Sequence, residues 1–333
     1  MSLTIRDVAK IAGVSPTTVS FVINGKGTVS DETRQRILRI IEQTDFRPSI
    51  NSRRLSSRKS FNICVAFNSD SSLFSDLFYL ALSRGIQQTA GKMGYNVVLA
   101  DFSNGVPDII LNKDTDGVIF FQDLEKEIFD QVKGLSVPFV VADSHIMNAP
   151  YAIVGVDNQN ASYIAARYLV QAGHRNIAMI GPKNHVHLFE SASKGFIDAQ
   201  IEQGILPDRH RNIIAVENAD CVGAAVDQLL ALPNPPTAIF CPGDKFTINA
   251  MLYVQGLGYR IPEDLSFISI DDTILCQYVR PMLTSVHIDM EMVGEASMVL
   301  LEKCIQGQPS ENVMISVDQI VERGTVKRLC ASD

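Results

Sequence analysis

A short stretch near the amino terminus carries side chains that could read the edges of DNA bases. Residues 15–21 are Ser-Pro-Thr-Thr-Val-Ser-Phe, without a charged residue. In the major groove, hydroxyl groups hydrogen-bond base edges and apolar groups contact the thymine methyl. This stretch lacks the arginine fork that reads guanine, so attraction to phosphates must come from cations around it.

A first helix is needed to hold this stretch in place. Its expected apolar face is Ile5, Val8, Ala9 and Ile11. Thr4 stands before that face, and Asp7 three residues later makes an acidic variant of the capping box. Gly13 is expected to end the helix.

Two further helices complete the predicted head. Ser15 can cap the second helix and Pro16 fits its first position, whereas Ser30 can cap the third. The expected buried residues are Val19, Val22 and Ile23 in the second helix, and Ile37, Leu38, Ile40 and Ile41 in the third. Two short helices joined around a glycine are typical of the helix-turn-helix. The alternative is a three-helix domain used for protein contact.

The charge of the chain is distributed unevenly. The whole sequence has a net charge of −8, but residues 1–60 carry eleven Lys and Arg against five Asp and Glu, whereas the remainder carries eighteen against thirty-two. Residues 46–60 contain five cations and no acid. A basic head on an acidic body indicates separate roles for the two parts, and the basic segment would attract a polyanion or serve as a solvated linker.

Composition narrows the class of protein. The 333 residues are 46% hydrophobic and 20% charged, which is ordinary for a globular protein of two or three domains. We expect no membrane span, since no apolar run approaches the length required, and no secretory peptide in the opening residues. The six cysteines are far apart, which favours buried cytosolic thiols over disulfides or zinc. These features predict a cytoplasmic protein.

From residue 61 the sequence alternates apolar runs with amphipathic stretches. The expected strands are Phe61–Phe67, Asn96–Ala100, Gly117–Phe121, Phe139–Ala142, Ala152–Val156, Ile177–Gly181, Ile213–Val216, Ala238–Cys241 and Leu265–Ile270. Such alternation is typical of parallel sheets with crossover helices. Nine strands in two groups predict two doubly wound α/β lobes, with ligands binding beyond the carboxyl ends of the strands.

The head resembles that of LacI-family bacterial transcription regulators. The resemblance rests on TIRDVAKIAGVSPTTVSFVING (4–25), VSDETRQRI (29–37) and FRPSINSRRL (46–55). It implies a DNA-binding helix whose main determinants of operator choice are Pro16 and Thr17, with Phe21 a third. It also implies a hinge helix in which Leu55 wedges into the minor groove and Arg53 holds phosphate. The DNA contacts expected in full are Thr4, Ser15, Pro16, Thr17, Thr18, Ser20, Phe21, Asn24, Asn51, Ser52, Arg53 and Leu55.

The hinge departs from the family pattern at two positions. Asn51 and Ser52 stand where the family more often has valine and alanine. A polar Asn51 weakens the usual apolar contact between two hinges, so we expect this hinge to be less stable away from DNA. Leu55 could instead be an ordinary core leucine of a short helix.

The resemblance continues through the body. It rests on VDNQNAS (156–162), AGHRNIAMIG (172–181), PTAIFCPGD (236–244), IPEDLSFISIDD (261–272) and LTSVH (283–287). It implies a body with the fold of periplasmic binding proteins. The expected domains are a helix-turn-helix domain at 1–45, a hinge at 46–60, a first lobe at 61–158 with 289–316, and a second lobe at 159–288 with 317–333. No heptad tail follows, so we expect a homodimer on a palindromic operator.

A ligand cleft between the lobes is implied by the same resemblance. Its expected contacts are Leu73, Phe74, Asp143, Asn158, Ala192, Asp244 and Asp271. Carboxylates there could accept hydrogen bonds from hydroxyl or amine groups, and Phe74 could cover a flat ring. Asp271 could equally form a turn, and Asp244 could cap the next helix.

Three departures argue against a standard sugar effector. Ala192 stands where sugar- and purine-responsive relatives often place an arginine, and the chain has no tryptophan. The segment after Leu99 is short, which predicts a truncated helix in the first lobe. The effector could be a sugar, a purine or another, unusual small molecule. The alternatives are a cleft that responds to a protein partner and a cleft that is unregulated.

Two other classes of function compete with this one. A periplasmic solute-binding protein would explain the body, but it would need export and leaves the basic head without a role. An enzyme is disfavoured because no G-x-G-x-x-G follows the first strand and no P-loop is present. His185 and His187 resemble half of a metal site but are expected to be surface histidines, whereas His174 and His287 are expected to be structural. The sequence therefore predicts a DNA-binding regulator with no cofactor and no metal.

Overall fold

The computed structural model describes residues 3–23, 27–44, 46, 59–68, 77–146, 148–206 and 208–329. The chain divides into two compact units, the head (Met1–Phe61) and the body (Asn62–Asp333). Among the described residues, no helix combines the length and the apolar character needed to cross a bilayer.

The head contains the three predicted helices. They are α1 (Ile5–Ala12), α2 (Pro16–Ile23) and α3 (Asp31–Thr44). Gly13 ends α1 in the left-handed conformation, with φ 67°, as predicted. The predicted caps are confirmed, because the Thr18 N–H donates to Ser15 Oγ at 3.1 Å and the Thr33 N–H donates to Ser30 Oγ at 3.4 Å.

The core of the head is small and lies between the three helices. Its buried members are Val8, Ala9, Ala12, Val19, Val22, Ile37 and Phe46. Two residues predicted to be buried are not, since the side chains of Ile11 and Leu38 are 56% and 44% exposed. Helices this short bury one narrow face, and both residues lie outside it.

The body contains two six-stranded sheets, in agreement with the two predicted lobes. The first sheet has the order β11-β5-β4-β3-β1-β2 and is parallel throughout. Its strands are β1 (Asn62–Phe67), β2 (Asn96–Asp101), β3 (Gly117–Phe121), β4 (Phe139–Ala142), β5 (Ile153–Val156) and β11 (Val313–Ile315). The central strand β3 is fully buried, as expected of a strand covered on both faces.

The second sheet has the order β12-β10-β9-β8-β6-β7 and is parallel except at β12, which runs antiparallel to β10. Its strands are β6 (Ile177–Pro182), β7 (Ile213–Val216), β8 (Ala238–Cys241), β9 (Ser266–Asp271), β10 (Ser285–His287) and β12 (Ile320–Val321). All nine predicted strands are confirmed to within one residue at each end. The short strands β10, β11 and β12 were not predicted.

Helices cover both sheets. They are α4 (Leu77–Lys92), α5 (Asp108–Leu111), α6 (Lys126–Leu135), α7 (Asn158–Gln171), α8 (Val186–Glu202), α9 (Arg209–Asn212), α10 (Val222–Leu230), α11 (Asp244–Gly256) and α12 (Met290–Ile305). Helix α5 is a single turn, in agreement with the expected truncation. Helix α12 comes late in the sequence but packs on α4 and on strands of the first sheet. The chain therefore passes between the lobes at three places: after β5, after β10 and after β11.

Candidate DNA-binding and effector sites

The exposed side of α2 is built from the residues that the sequence singled out. Pro16, Thr17 and Phe21 are exposed, whereas Thr18 and Ser20 are half-buried. The Thr18 hydroxyl lies 2.9 Å from Ser15 Oγ, which also accepts the Thr18 N–H. Ser15 and Thr18 therefore hold the start of α2, and Thr17 presents its hydroxyl and methyl groups to solvent.

Phe21 extends this exposed side toward the next loop. Its ring is 41% exposed and covers Gly27, where a Cβ atom would lie 2.8 Å from Phe21 Cδ2. Gly27 has a φ of 73°, which an L side chain rarely adopts. The ring thus has one face on the protein and an edge available for apolar contact.

Thr4 begins α1 and is held by Asp7. The Asp7 carboxylate accepts the Thr4 N–H at 2.8 Å and the Thr4 hydroxyl at 2.7 Å, and these hydrogen bonds lower the pKa of Asp7. This is the predicted acidic capping box. Thr4 is exposed and remains a candidate phosphate contact at a helix amino terminus.

Several expected site residues lie outside the described residues. They are Asn24, Asn51, Ser52, Arg53 and Leu55 among the DNA contacts, and Leu73 and Phe74 among the effector contacts.

A cavity of about 440 Å³ lies between the two lobes of the body. Its walls are formed by residues that follow β3 and β4 in the first lobe and β6, β8 and β9 in the second. This is the carboxyl end of both sheets, where ligands of doubly wound folds bind. Four expected effector contacts line it: Asp143, Asn158, Asp244 and Asp271.

The first-lobe wall contains a hydrogen-bonded chain of three side chains. Gln122 Nε2 donates to the Tyr79 hydroxyl at 2.6 Å, and that hydroxyl donates to Asp143 Oδ2 at 3.0 Å. Gln122 and Asp143 directly follow the adjacent strands β3 and β4, and both have a positive φ, 69° and 58°. Such backbone conformations cost free energy and concentrate at functional sites, where they direct side chains into a cleft.

His145 is fixed next to this chain. Its N–H donates to Asp123 Oδ2 at 3.0 Å, and the Ser144 hydroxyl donates to Asp123 Oδ1 at 2.5 Å. Asn158 Nδ2 lies 3.2 Å from His145 Nδ1 and 3.2 Å from the Val156 carbonyl oxygen. His145 and Asn158 therefore form one unit on the cavity wall.

Asp244 is more structural than its predicted role suggests. Its side chain is 2% exposed, and Oδ2 accepts the Thr273 N–H at 2.6 Å and the Thr273 hydroxyl at 2.8 Å. Oδ1 accepts the Ser285 hydroxyl at 3.0 Å. Burial raises the pKa of Asp244. Asp244 thus ties the start of α11 to the loop after β9 and to β10.

Asp271 also supports α11, because its Oδ2 accepts the Asp244 N–H at 3.3 Å. A turn or cap role for Asp271 was the alternative to ligand contact, and this hydrogen bond to the first residue of α11 gives Asp271 a role in supporting the start of that helix. Its φ of 112° is strained for a residue with a Cβ atom.

Ala192 does not lie where the sequence placed it. It is fully buried in α8, in the hydrophobic cluster that contains Met179 and Phe196, and is not part of the cavity wall. The inward face of α8 at this position packs on the second sheet, so an effector contact from Ala192 is a wrong assignment.

Several cavity residues were missed by the sequence reasoning. They are Tyr79, Gln122, His145, His185 and Lys245. His185 and His187 are both exposed, as expected, and His185, the N-cap of α8, also lines the cavity, whereas His187 does not. Gln122 and His145 could have been predicted as cavity residues, because each lies within three residues of the carboxyl end of a predicted parallel strand. Tyr79 could not have been predicted in this way, because its place in the cavity depends on a hydrogen bond to Asp143, 64 residues away in the sequence.

His174 and His287 are both held by contacts within the protein, as expected of structural histidines. His174 is 1% exposed, with Nδ1 2.8 Å from Thr237 Oγ1 and Nε2 3.1 Å from the Lys327 carbonyl oxygen. His287 Nδ1 lies 3.1 Å from Asp272 Oδ2, and Arg323 pairs with the other oxygen of Asp272 at 2.6 Å.

Comparison with known families matches both units. The model for bacterial regulatory proteins of the lacI family matches residues 4–49, and that for a periplasmic binding protein-like domain matches residues 166–326. Among relatives, catabolite control protein A of Priestia megaterium is 32% identical over 335 residues, covering 97% of this chain and 98% of its own. The probable HTH-type transcriptional repressor ExuR of Bacillus subtilis strain 168 is 28% identical over 336 residues, covering 98% and 99%.

Solved structures share the fold over the same length. The transcriptional regulator CelR–cellobiose complex has a TM-score of 0.70 at 26% identity, covering 97% of this chain and 99% of its own. The lac repressor dimer bound to operator and the anti-inducer ONPF has a TM-score of 0.77 at 23% identity, covering 98% and 100%. Both likenesses extend over the head and the body together. The chain belongs to the lacI family of bacterial regulatory proteins.

Proposed function

We propose that this DNA-binding transcriptional regulator is a repressor that holds a palindromic operator as a homodimer and is controlled by a small ligand in the interlobe cavity. The observation that carries the proposal is the exposed, uncharged side of α2, held in place by the Ser15 cap within a cationic head. Relatives that are themselves repressors, such as the HTH-type transcriptional repressor PurR of Vibrio cholerae, support repression. The similar lac repressor, which was solved as a dimer bound to operator, supports the dimer.

On the DNA side, α2 reads bases by hydroxyl and methyl contacts. Thr17 offers both groups, and Pro16 and Phe21 offer shape and apolar contact. Phosphates are held by exposed cations of the head: Arg6, Lys10, Arg36 and Arg39. The hinge assigned to residues 46–60 adds Arg53 on phosphate and Leu55 as the minor-groove wedge, at an unstacking cost of about a few kcal/mol.

On the effector side, the cavity offers both hydrogen-bond donors and acceptors. Asn158 uses its Nδ2 within the protein, so its Oδ1 can accept from a ligand. Asn218 uses Oδ1 to cap residues 219–221, so its Nδ2 can donate. Phe78 and Phe246 add apolar surface. Hydroxyl groups both donate and accept, so the effector is a small hydroxylated molecule with one apolar face.

Ligand binding between the lobes changes their closure. Because the two heads of a dimer must match two half-sites, a change in closure shifts the population of DNA-competent dimers. This role involves no catalytic step, cofactor or metal, and it places the protein in the bacterial cytoplasm, on the nucleoid when the operator is occupied.

Footprinting of the full chain tests the DNA-binding part. We expect protection of an inverted repeat, and a log affinity that falls with log salt by about 0.9 per phosphate neutralised. Thr17→Ala, an exposed change on α2, should weaken the specific footprint. A protected site without two-fold symmetry, or protection that is indifferent to salt, would refute the proposal.

Thermal-shift screening of the full chain tests the effector part. Sugars, purines, amino acids and phosphosugars are screened, and each hit is carried into gel shifts on the operator. We expect a hydroxylated ligand to raise the melting temperature and to change operator affinity. A ligand that stabilises the protein without changing operator affinity would contradict the assigned control.

A further inference from the structure

Acids outnumber cations on the wall of the interlobe cavity. Among the described residues that line it are four carboxylates, one lysine, two histidines and no arginine. We propose that the effector is a hydroxylated amine, whose ammonium group lies over Gly243 between the Asp271 carboxylate and the Phe246 ring. Naming this ligand as the effector rests on the proposed function, whereas its binding in the cavity does not.

Gly243 leaves a space on the second-lobe wall of the cavity. A Cβ atom there would lie 3.5 Å from Phe246 Cδ2 and 3.8 Å from Asp271 Oδ2. Gly243 has a φ of 145°, which an L side chain rarely adopts. A small ligand group over Gly243 therefore contacts an aromatic ring and a carboxylate oxygen at the same time.

An ammonium group gains more from these two contacts than other groups do. Hydrogen bonds between ionised partners are roughly twice as strong as neutral ones. A cation within about 6 Å of the centre of an aromatic ring gains further attraction when it lies over the ring face. A hydroxyl group would gain only an ordinary hydrogen bond from Asp271, and a phosphate would be repelled by it.

Two of the four carboxylates are balanced within the protein. Glu217 pairs with Lys183 at 2.6 Å, and Asp244 is 2% exposed and accepts from two hydroxyl groups. The negative charge on the wall therefore comes chiefly from Asp143 in the first lobe and Asp271 in the second. Each of these aspartates directs its carboxylate from the end of a parallel strand, where its backbone has a positive φ.

The positive features near Gly243 do not cancel this charge. The start of α11 is equivalent to about half a positive charge, whereas Asp271 carries a full negative one. The first N–H of α11, that of Asp244, already donates to Asp271 Oδ2 at 3.3 Å, and a carboxylate can accept several hydrogen bonds. Lys245 is exposed, so water and salt screen its ammonium group.

Asp143 adds to the preference from the opposite wall. Gln122 Nε2 donates to the Tyr79 oxygen, so the Tyr79 proton points to Asp143 Oδ2 and keeps this oxygen an acceptor. Asp143 is 3% exposed, and a buried negative charge is costly without a positive partner. A cationic ligand lowers that cost, which favours closure of the two lobes around it.

Calorimetric titration of the full chain at neutral pH tests the preference. The probes are glucosamine, galactosamine and mannosamine, each compared with its parent hexose and with the hexose 6-phosphate. We expect at least one amino sugar to bind about tenfold or more tightly than its hexose, since a hydrogen bond to a charged group contributes at least that much. The 6-phosphates should bind more weakly than the hexoses. If no amino sugar binds more tightly than its hexose, including the case in which none binds, the proposal is overturned.

Variants of the wall locate the ammonium group. Asp271→Asn should reduce the affinity for the amino sugar to that for the hexose. Phe246→Leu, which leaves the contact between Asp271 and α11 in place, should also reduce the difference and serves if the first variant does not fold. Asp130→Asn removes an exposed carboxylate of α6 outside the cavity and should leave the difference unchanged. A preference that survives both wall variants would refute the assigned position.

The outcome is separable from that of the proposed function. Calorimetry needs no operator, so an absent preference for amines leaves the footprint interpretable. Equally, a missing footprint leaves amine binding in the cavity standing.

Discussion

Gly85 of α4 and Gly294 of α12 lie against each other where these two helices cross in the first lobe. A Cβ atom on Gly85 would lie 2.1 Å from the Glu291 carbonyl oxygen, and one on Gly294 would lie 2.2 Å from the Leu82 carbonyl oxygen. The backbones touch because neither residue has a side chain. This contact fixes α12, which follows the second lobe in sequence, onto the first lobe, and it anchors one of the three passages between the lobes.

Gly85→Ala should destabilise the body strongly. The added methyl group meets a rigid backbone carbonyl, so α4 and α12 must move apart, and such overpacking costs about 1–3 kcal/mol or more. Urea unfolding followed by circular dichroism measures the loss. Gly91→Ala in the same helix is the matched control, since nothing lies within 4 Å of its Cβ position. It should stabilise by up to about 1 kcal/mol, and equal loss in both variants would contradict the crossing as the cause.

Thr17→Ala should reduce operator affinity without affecting the fold. Thr17 is exposed on α2, and losing its hydroxyl and methyl groups costs about 1–3 kcal/mol of discrimination between bases. Binding to a random duplex should be unchanged, because that depends on phosphate contacts. Gel shifts on operator and random duplexes measure both.

Thr18→Ala is the comparison for Thr17→Ala. The Thr18 hydroxyl is 2.9 Å from Ser15 Oγ, so its loss weakens the start of α2 by about 1 kcal/mol and lowers binding to every duplex alike. If Thr17→Ala also affected operator and random DNA equally, α2 would not be the reading helix.

Local features of the head could be predicted from sequence because their causes are local. The caps at Thr4, Ser15 and Ser30 act over three residues, and Gly13 ends α1 by its own backbone freedom. The burial of Ile11 and Leu38 was predicted wrongly, because helical spacing marks an apolar side without showing which neighbour covers it.

The cavity was harder to predict because its contacts join distant parts of the chain. The apolar runs predicted the strands of the two sheets. Cavity positions were assigned from the family resemblance to Asp143, Asn158, Asp244 and Asp271. The chain from Gln122 through Tyr79 to Asp143 depends on β3 lying next to β4, which is a property of strand order, and on Tyr79 of α4 lying within hydrogen-bond distance of the residues that follow both strands. Ala192 failed for a related reason: Leu188, one helical turn earlier on the same face of α8, lines the cavity, whereas Ala192 is covered by the core.

Ala192→Arg should not create an effector contact. The side chain would enter the buried cluster around Phe196, and a buried, unpaired charge costs about 3–5 kcal/mol. Thermal unfolding should show a large drop or an insoluble product. Lys194→Arg, exposed on the same helix, is the control and should leave the melting temperature unchanged. A stable Ala192→Arg protein with altered ligand response would show that α8 can rotate this position into the cavity.

Acid should weaken the body through His174. This histidine is 1% exposed, and its Nε2 faces the Lys327 carbonyl, which can only accept, so Nε2 carries the proton, and Nδ1 of the buried ring lies 2.8 Å from the Thr237 hydroxyl. Burial lowers the pKa of His174. The unfolded chain binds this proton near the ordinary pKa of about 6.5, whereas the folded chain does not. The stability that His174 contributes is therefore present above about pH 6.5 and is lost as the pH falls below it, by about 1.4 kcal/mol per pH unit.

Urea unfolding at several pH values between about 7.5 and 5, which spans the ordinary histidine pKa, measures how the free energy of unfolding changes with pH. His174→Gln should be less stable at neutral pH, because two hydrogen bonds change. Its free energy of unfolding should fall less steeply as the pH is lowered, because the uptake of one proton on unfolding, worth about 1.4 kcal/mol per pH unit, is gone. His187→Gln removes an exposed histidine instead and should keep the steep slope. The two variants together separate a buried neutral imidazole from the general effect of acid on the carboxylates, and equal slopes in both would show that His174 accepts its proton in the folded state.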